Sequence, residues 1–220
     1  MVNGSCLRQV MGGYVMELTK EKALEFTKKC ISESNRPNYR FRSRYRHTLR
    51  VLIWAERLHK EIGGNLEVLT YSAILHDCAW NGLENHAITS CNKAKDFLNQ
   101  FSIDENIKNM ILEGVLYHNR NETRDLCKES YMLMDADELD EIGALCIMWD
   151  SLAEYEQNEN TSYKSIVLRT KKYLPKLEEN INKLHFDYSK NVYRKKLDFM
   201  REFVKEAEDE LEIELKGELG

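Results

Sequence analysis

The chain has 220 residues, 42% of them hydrophobic and 31% charged, with a formal net charge of −5. That balance excludes a disordered chain, and the acidic sign excludes a surface built throughout for long nucleic acid, which needs clustered Lys and Arg. Only two prolines, Pro37 and Pro175, punctuate it, which favours long helices over many short strands.

Taken in chain order, Met1 to Met16 lacks a basic start followed by an apolar run and does not read as a secretory signal. Residues 1–18 are expected to be a leader outside the folded domain. A helix is predicted after Thr19, with Ala23, Phe26, Thr27 and Cys30 on one face. Ser34 to Tyr39, which holds Pro37, reads as a loop. A second helix is predicted from about Arg42 to Ile62, with Val51, Ala55 and Leu58 inward and Gly63-Gly64 as its stop. Asn65 caps a short, strongly apolar helix that ends near Asp77. Cys78 to Asn85 is a loop, and His86 to Phe101 a further helix.

Ser102-Ile103-Asp104-Glu105 reads as a capping box, opening a helix that ends near His118-Asn119. A single long helix is predicted from about Lys128 to Glu156. Ala136, Leu139 and Gly143 form its core stripe, Asp135 points to solvent, and Met132, Met134, Met148 and Trp149 read as core. Gln157 to Thr161 is a loop. Ser162 to Leu215 is expected to be helical, bent or broken at Pro175, with Leu184, Val192, Leu197, Met200 and Phe203 packing back on the core. No stretch alternates like a strand, so the fold class is all-α. The organisation expected is one helical domain over 19–215, with a core at about 40–150 and C-terminal helices at about 162–215.

No run approaches the roughly 18 apolar residues that a membrane span needs. The six cysteines lack metal-ligand spacing and read as reduced thiols, mostly small core residues, of a cytoplasmic protein.

Of the six histidines, four (His47, His76, His86 and His118) occur on or beside apolar helical segments. His59 and His185 lie among Lys and Glu and read as surface residues. His76-Asp77 closes the apolar run Ala73-Ile74-Leu75. An ionised Asp buried there costs several kcal/mol unless it is paired or bound to a cation. Adjacent helical residues point about 100° apart, so both reach one ion only near a helix end, where the following loop places them. Imidazole with carboxylate suits Fe, Mn, Co, Ni, Zn or Mg. An antiparallel pair of helices joined by Gly63-Gly64 brings His47 towards His76-Asp77. Alone, each of these residues has a plain reading: a helix-end hydrogen-bonded pair, or a satisfied core histidine. Together they point to a metal.

The stretches Arg46-His47-Thr48-Leu49-Arg50-Val51, Ala73-Ile74-Leu75-His76-Asp77 and Asp135-Ala136-Asp137-Glu138-Leu139-Asp140 resemble the HD-domain superfamily of metal-dependent phosphohydrolases. The resemblance covers roughly Arg40 to Asp150. It implies an HD-type helical bundle with metal ligands His47, His76, Asp77 and Asp137, the last chosen over Asp135 by its Ala-Asp-x-Leu context. Asn85-His86-Ala87-Ile88-Thr89-Ser90 and Leu116-Tyr117-His118-Asn119 resemble the extra ligands of branches that hold two metals, in which Asp77, His86 and His118 would take the second ion. The nearest branch in texture is a set of small bacterial HD phosphohydrolases with His-Ala-x-x-Ser and Asp-Ala-Asp-x-Leu-Asp-x-x-Gly-Ala motifs. The loop between Asp77 and His86 is short, which leaves the reach of His86 open. Cys78-Ala79-Trp80 replaces the Gly-Lys that some branches carry after the pair, a departure from the cyclic-dinucleotide phosphodiesterases.

The function implied is attack of metal-activated water on phosphorus in a small phosphorylated substrate, in the nucleotide class, as a phosphomonoesterase or phosphodiesterase. One or two divalent ions are expected. Asp77 belongs to the reacting centre, and Glu84 or Asp140 is the candidate general base. Arg44, Arg46 and Arg50, with His118, are candidates for the substrate phosphate, although an arginine run is more often a solvated or salt-bridged face. Two alternatives remain: a di-iron oxygenase of the same superfamily, and a non-catalytic metal-binding sensor or scaffold. Expected partners are a small-molecule substrate and a second copy in a homo-oligomer, with neither long nucleic acid nor membrane.

Overall fold

A computed structural model describes residues 9–10, 13–14, 16–34, 41–82, 85–119 and 125–212. Among these the chain is all-α. Its elements are α1 (Lys20–Glu33), α2 (Arg44–Ile62), α3 (Leu66–Leu75), α4 (His86–Leu98), α5 (Glu105–Tyr117), α6 (Lys128–Asp140), α7 (Ala144–Gln157), α8 (Tyr163–Asn180), a 3₁₀ turn (Ile181–Lys183) and α9 (Asp187–Glu210). The only strands among them are two residues each, β1 (Gln9–Val10) and β2 (Gly13–Tyr14), paired antiparallel. No helix of the described residues is long and apolar enough to cross a membrane.

Two compact units are present: residues 1–37 with 44–133, and 38–43 with 134–220. In the first, α3 is the central element and packs on α1, α2 and α5. Val68, Leu69 and Tyr71 to Leu75 are all buried, and a helix apolar on every side can only be a core helix. Small side chains let its neighbours approach. A Cβ placed on Gly114 of α5 would stand 3.0 Å from Ser72 Oγ. Thr27 of α1 donates to the Ile74 carbonyl at 3.0 Å, satisfying an acceptor near the end of α3.

The turn into α3 is fixed by charge as well as by glycine. Gly64 has φ 101°, and a Cβ there would meet Glu129 Oε1 at 2.8 Å. That buried carboxylate accepts from Asn65 N–H at 2.6 Å. Asn65 in turn caps α3, accepting from Glu67 and Val68 N–H, as its sequence position predicts.

The capping box expected at Ser102 is absent. Asp104 caps α5 instead, accepting from Asn106 N–H at 2.9 Å and Ile107 N–H at 3.2 Å. An ionised carboxylate at the positive helix end outcompetes a hydroxyl two residues earlier. Ser102 N–H donates to the Met16 carbonyl.

The second unit corrects several expectations. The single helix predicted from Lys128 to Glu156 is two helices, divided at Gly143, whose φ is 96°. Lys196 of α9 donates to the Leu139 and Ile142 carbonyls that this break frees. Pro175 lies inside an unbroken α8, and the chain turns later, at 181–186. Asp135 explains the turn. Expected at the surface, it is fully buried, and its carboxylate accepts from His185 N–H at 2.9 Å, His185 Nδ1 at 3.0 Å and Phe186 N–H at 3.1 Å. Three donors repay burial of the charge, and they cap α9, whose own N-cap Phe186 offers no side-chain acceptor. His185 is therefore a partner of a core carboxylate rather than a plain surface residue. Met148, expected in the core, is exposed. Leu184, Leu197 and Met200 are buried as expected, while Val192 and Phe203 are half-buried.

Candidate metal centre

Both α3 and α5 end in a histidine, and the two ends are built alike. His76 is the C-cap of α3 and its Nδ1 bonds the Ala73 carbonyl at 2.7 Å. His118 is the C-cap of α5 and its Nδ1 bonds the Val115 carbonyl at 2.8 Å. The last carbonyls of a helix lack intrahelical partners, so an imidazole three residues on satisfies one of them. A carbonyl only accepts. Nδ1 must therefore carry the proton of each neutral ring, which leaves Nε2 with an exposed lone pair.

Those two Nε2 atoms face further imidazoles. His76 Nε2 lies 3.4 Å from His47 Nε2, and His118 Nε2 lies 3.2 Å from His86 Nε2. The four rings form one row, with centroid separations of 5.4 Å between His47 and His76, 5.0 Å between His76 and His118, and 5.2 Å between His118 and His86. Asp77 follows His76 directly. Its Oδ1 is 3.3 Å from His86 Nε2, so the short loop does bring His86 within reach. Asp77, His86 and His118 each offer an atom within 4.8 Å of the others.

The donor set fits a divalent ion. Two nitrogens about 2.1 Å from one cation, at octahedral to tetrahedral angles, stand about 3.0 to 3.4 Å apart. Both histidine pairs have that spacing. The protonated Nδ1 on a backbone carbonyl is also the arrangement that orients a ligating imidazole. His47, His76 and Asp77 are buried, and a buried carboxylate among neutral rings calls for a cation.

Arg44 supplies one such cation. It stands at the start of α2 with Nη1 3.3 Å from Asp77 Oδ2. Of the other candidate arginines, Arg46 is exposed and Arg50 half-buried. Asn119 was not anticipated. Its Nδ2 lies 3.0 Å from Asn85 Oδ1 and 3.2 Å from His86 Nε2. The sequence signal was adjacency, since Asn85 and Asn119 each flank a candidate histidine. Glu84 lies outside the described residues. Asp137 and Asp140 belong to the second unit, three residues apart on one face of α6, the former half-buried and the latter buried.

Residues 44–142 match the family model of the HD domain, a span that includes every described candidate site residue. The fold is similar to that of YpgQ from Bacillus subtilis, whose crystal structure is a complex with ADP. The TM-score is 0.66 at 16% identity, over 87% of this chain and 94% of that one. It is also similar to an HD-superfamily hydrolase from Bacillus thuringiensis, with a TM-score of 0.69 at 19% identity, over 88% and 96% of the two chains. No curated protein matches the sequence. The family match spans both histidine pairs: residues 44–142 of this chain are an HD domain, and that supports a metal-dependent hydrolase.

Proposed function

We propose that this protein is a metal-dependent phosphohydrolase acting on a small phosphorylated substrate of the nucleotide class. The observation that carries the reading is the pair of facing Nε2 contacts, 3.4 Å and 3.2 Å, with the Asp77 carboxylate 3.3 Å from His86 Nε2. In this reading His47, His76, Asp77 and Asp137 hold one divalent ion, and Asp77, His86 and His118 hold a second. Asp137 enters on the family match, which runs through residue 142. Iron, manganese, cobalt, nickel and zinc suit the mixed imidazole and carboxylate donors, and magnesium suits the carboxylates.

An ion bound there supplies Lewis acidity, acidifying water and offsetting charge on phosphoryl oxygens. The chain's own residues do the rest. Arg44 stands beside Asp77 and is placed to take a phosphoryl oxygen with its planar fork of donors. Arg50, with Arg46 further out, extends positive charge along α2 and draws the anion in. His118, whose Nδ1 proton is committed to Val115, presents only a lone pair and so serves as a ligand rather than a phosphate donor. Asp140 or Glu84 accepts the proton that the attacking water gives up. The ADP in the Bacillus subtilis YpgQ structure supports the nucleotide class.

The test is elemental analysis of protein purified without added metal, followed by phosphate release over nucleotides and sugar phosphates with each divalent ion. Bound divalent metal and metal-stimulated release are expected. Protein that neither retains a divalent ion nor releases phosphate with one sinks the proposal. The presence of two histidine pairs with a carboxylate among them also favours a second reading, a di-iron oxygenase. Iron content with O₂ uptake, in place of phosphate release, distinguishes it. Loss of thermal stability on chelation without any turnover would mark a sensor or scaffold.

A further inference from the structure

One face of α7 is bare. Leu145, Met148, Leu152 and Tyr155 follow one another at intervals of three, four and three residues. With Tyr163 at the start of α8 they are between 44% and 77% exposed. Single exposed apolar residues are ordinary, but a contiguous stripe is not, and this spacing is that of a seam between packed helices. Beside its C-terminal half the surface is hollowed into an open notch of about 490 Å³, lined among others by Leu152, Tyr155, Tyr163 and Ile166. The stripe therefore has projecting side chains, Leu145 and Met148, at one end and a hollow at the other.

The charges of the same helix are arranged against its own dipole. Its N-cap, Gly143, makes no side-chain cap, its first turn carries no acid and its last turn no base. Glu156 sits exposed in that last turn, where the helix end is already negative. Within the chain Arg169 of α8 pairs with Glu154 of that turn at 3.0 Å, which leaves Glu156 as the unmatched charge at one end and a first turn without an acid at the other.

We infer that α7 forms an isologous, antiparallel interface with α7 of a second copy of this chain. A two-fold axis crossing the stripe midway between Met148 and Leu152 seats Leu145 and Met148 of each copy in the notch of the other, and does so twice. The same operation carries each Glu156 to the uncapped, positive end of the other helix, so that one symmetry element matches both shape and charge. A parallel arrangement would bring like ends together and leave both hollows empty. The interface lies wholly on α7 and α8 and is independent of the metal chemistry proposed above.

Sedimentation velocity of the full chain across a hundredfold range of concentration tests this. A species of twice the 25.9 kDa chain mass is expected. Leu152→Glu and, separately, Met148→Lys yield the single-chain mass with unchanged helical circular dichroism, since both positions are exposed in the folded chain. Glu156→Lys raises the dissociation constant about fivefold, from two symmetric helix-end contacts worth roughly half a kcal/mol each. A single-chain mass at every concentration assigns the stripe to some other occupant and overturns the proposal. So does a dimer that survives both apolar substitutions, or assembly that continues past two.

Discussion

The two histidine pairs differ in how firmly the chain holds them. The inner pair, His47 and His76, is 2% and 0% exposed. His76 closes the core helix α3, and His47 comes from the first turn of a nineteen-residue helix packed against it. The outer pair, His86 and His118, also rests on helix termini but lies nearer the surface. His86 opens α4 with its side chain 25% exposed, braced by Asn119 near its ring and by the Asn85 cap. The inner side is preorganised by burial, while the outer side is open to solvent and to anything that enters from it. In the proposed site this makes one centre rigid and the other accessible, with Asp77 as the ligand they share.

Asp77 is where the comparison can be broken most completely. In the proposed site it is the ligand shared by both ions, so Asp77→Ala removes a donor from each. Losing a neighbour that only orients a metal ligand costs roughly 10- to 100-fold in affinity or activity, and losing a shared ligand costs more. Phosphate release is expected to fall by about a thousandfold or more, with bound metal lost on both sides. Retained turnover in this variant contradicts the mechanism. The next effect separates the pairs. His76→Gln is expected to abolish binding at the inner centre and to lower stability as well, because a buried carbonyl loses its donor. His86→Gln is expected to remove one equivalent of metal while leaving the inner equivalent and the melting temperature in place. Titration with Mn²⁺, followed by calorimetry or by electron paramagnetic resonance, reads both. Equal losses in the two variants would erase the distinction between inner and outer.

The inner centre was also the easier to read from sequence. His76-Asp77 stands at the end of an uninterrupted apolar run, where a charged pair has no bland explanation once a third ligand is in view. The row of four imidazoles was legible only as two separate ligand sets, because contact between His76 and His118 depends on how closely α5 approaches α3. That approach rests on Gly114 against Ser72, a small-on-small contact that leaves no periodic signal. Asp135 was misread for a related reason. Helical spacing puts it off the core stripe, but its three donors come from His185 and Phe186, fifty residues away. Propensity could not divide α6 from α7 either, since the division depends on Gly143 at positive φ and on Lys196 reaching back from α9. Asp104 was passed over because the Ser-x-x-Glu pattern assigned the cap to Ser102, whereas the carboxylate's charge at the helix end makes Asp104 the cap.

The α3–α5 approach gives a smaller and sharper test. Gly114→Ala sets a Cβ 3.0 Å from Ser72 Oγ and 3.2 Å from Ser72 Cβ. Overpacking of this kind costs about 1 to 3 kcal/mol. The strain falls on α5, which carries His118, and not on the contact between α2 and α3, which carries the inner pair. Metal affinity at the outer centre is expected to weaken more than at the inner one. Ser72→Ala added to Gly114→Ala should restore part of the stability, since it removes the nearest atom. A double-mutant cycle without coupling would show that Gly114 does not set the helix separation.

The smallest effect expected is a dependence on alkaline pH from Cys127, which braces α5 from the start of α6. Its Sγ lies 3.1 Å from Ser130 Oγ, and Ser130 Oγ and Cys127 N–H both donate to Glu113 of α5. Burial pushes the Cys127 thiol up to about 11 from an ordinary value of 9.0. Between those values an unfolded chain has lost the proton while the folded chain keeps it. The unfolded state then binds fewer protons, so stability falls as pH rises through 9 towards 11, and below 9 the residue contributes no slope. Cys146, likewise pushed up to about 11 by burial, adds a slope of the same sign, so the contribution of Cys127 must be read as a difference. Urea midpoints at pH 8 and pH 10 for the parent and for Cys127→Ser isolate it. The parent should lose more stability between the two values than the variant does, and the loss should accompany weaker metal binding at the outer centre, because the brace acts on the helix that ends in His118. An equal fall in both proteins would place the alkaline sensitivity elsewhere and remove Cys127 from the support of the outer pair.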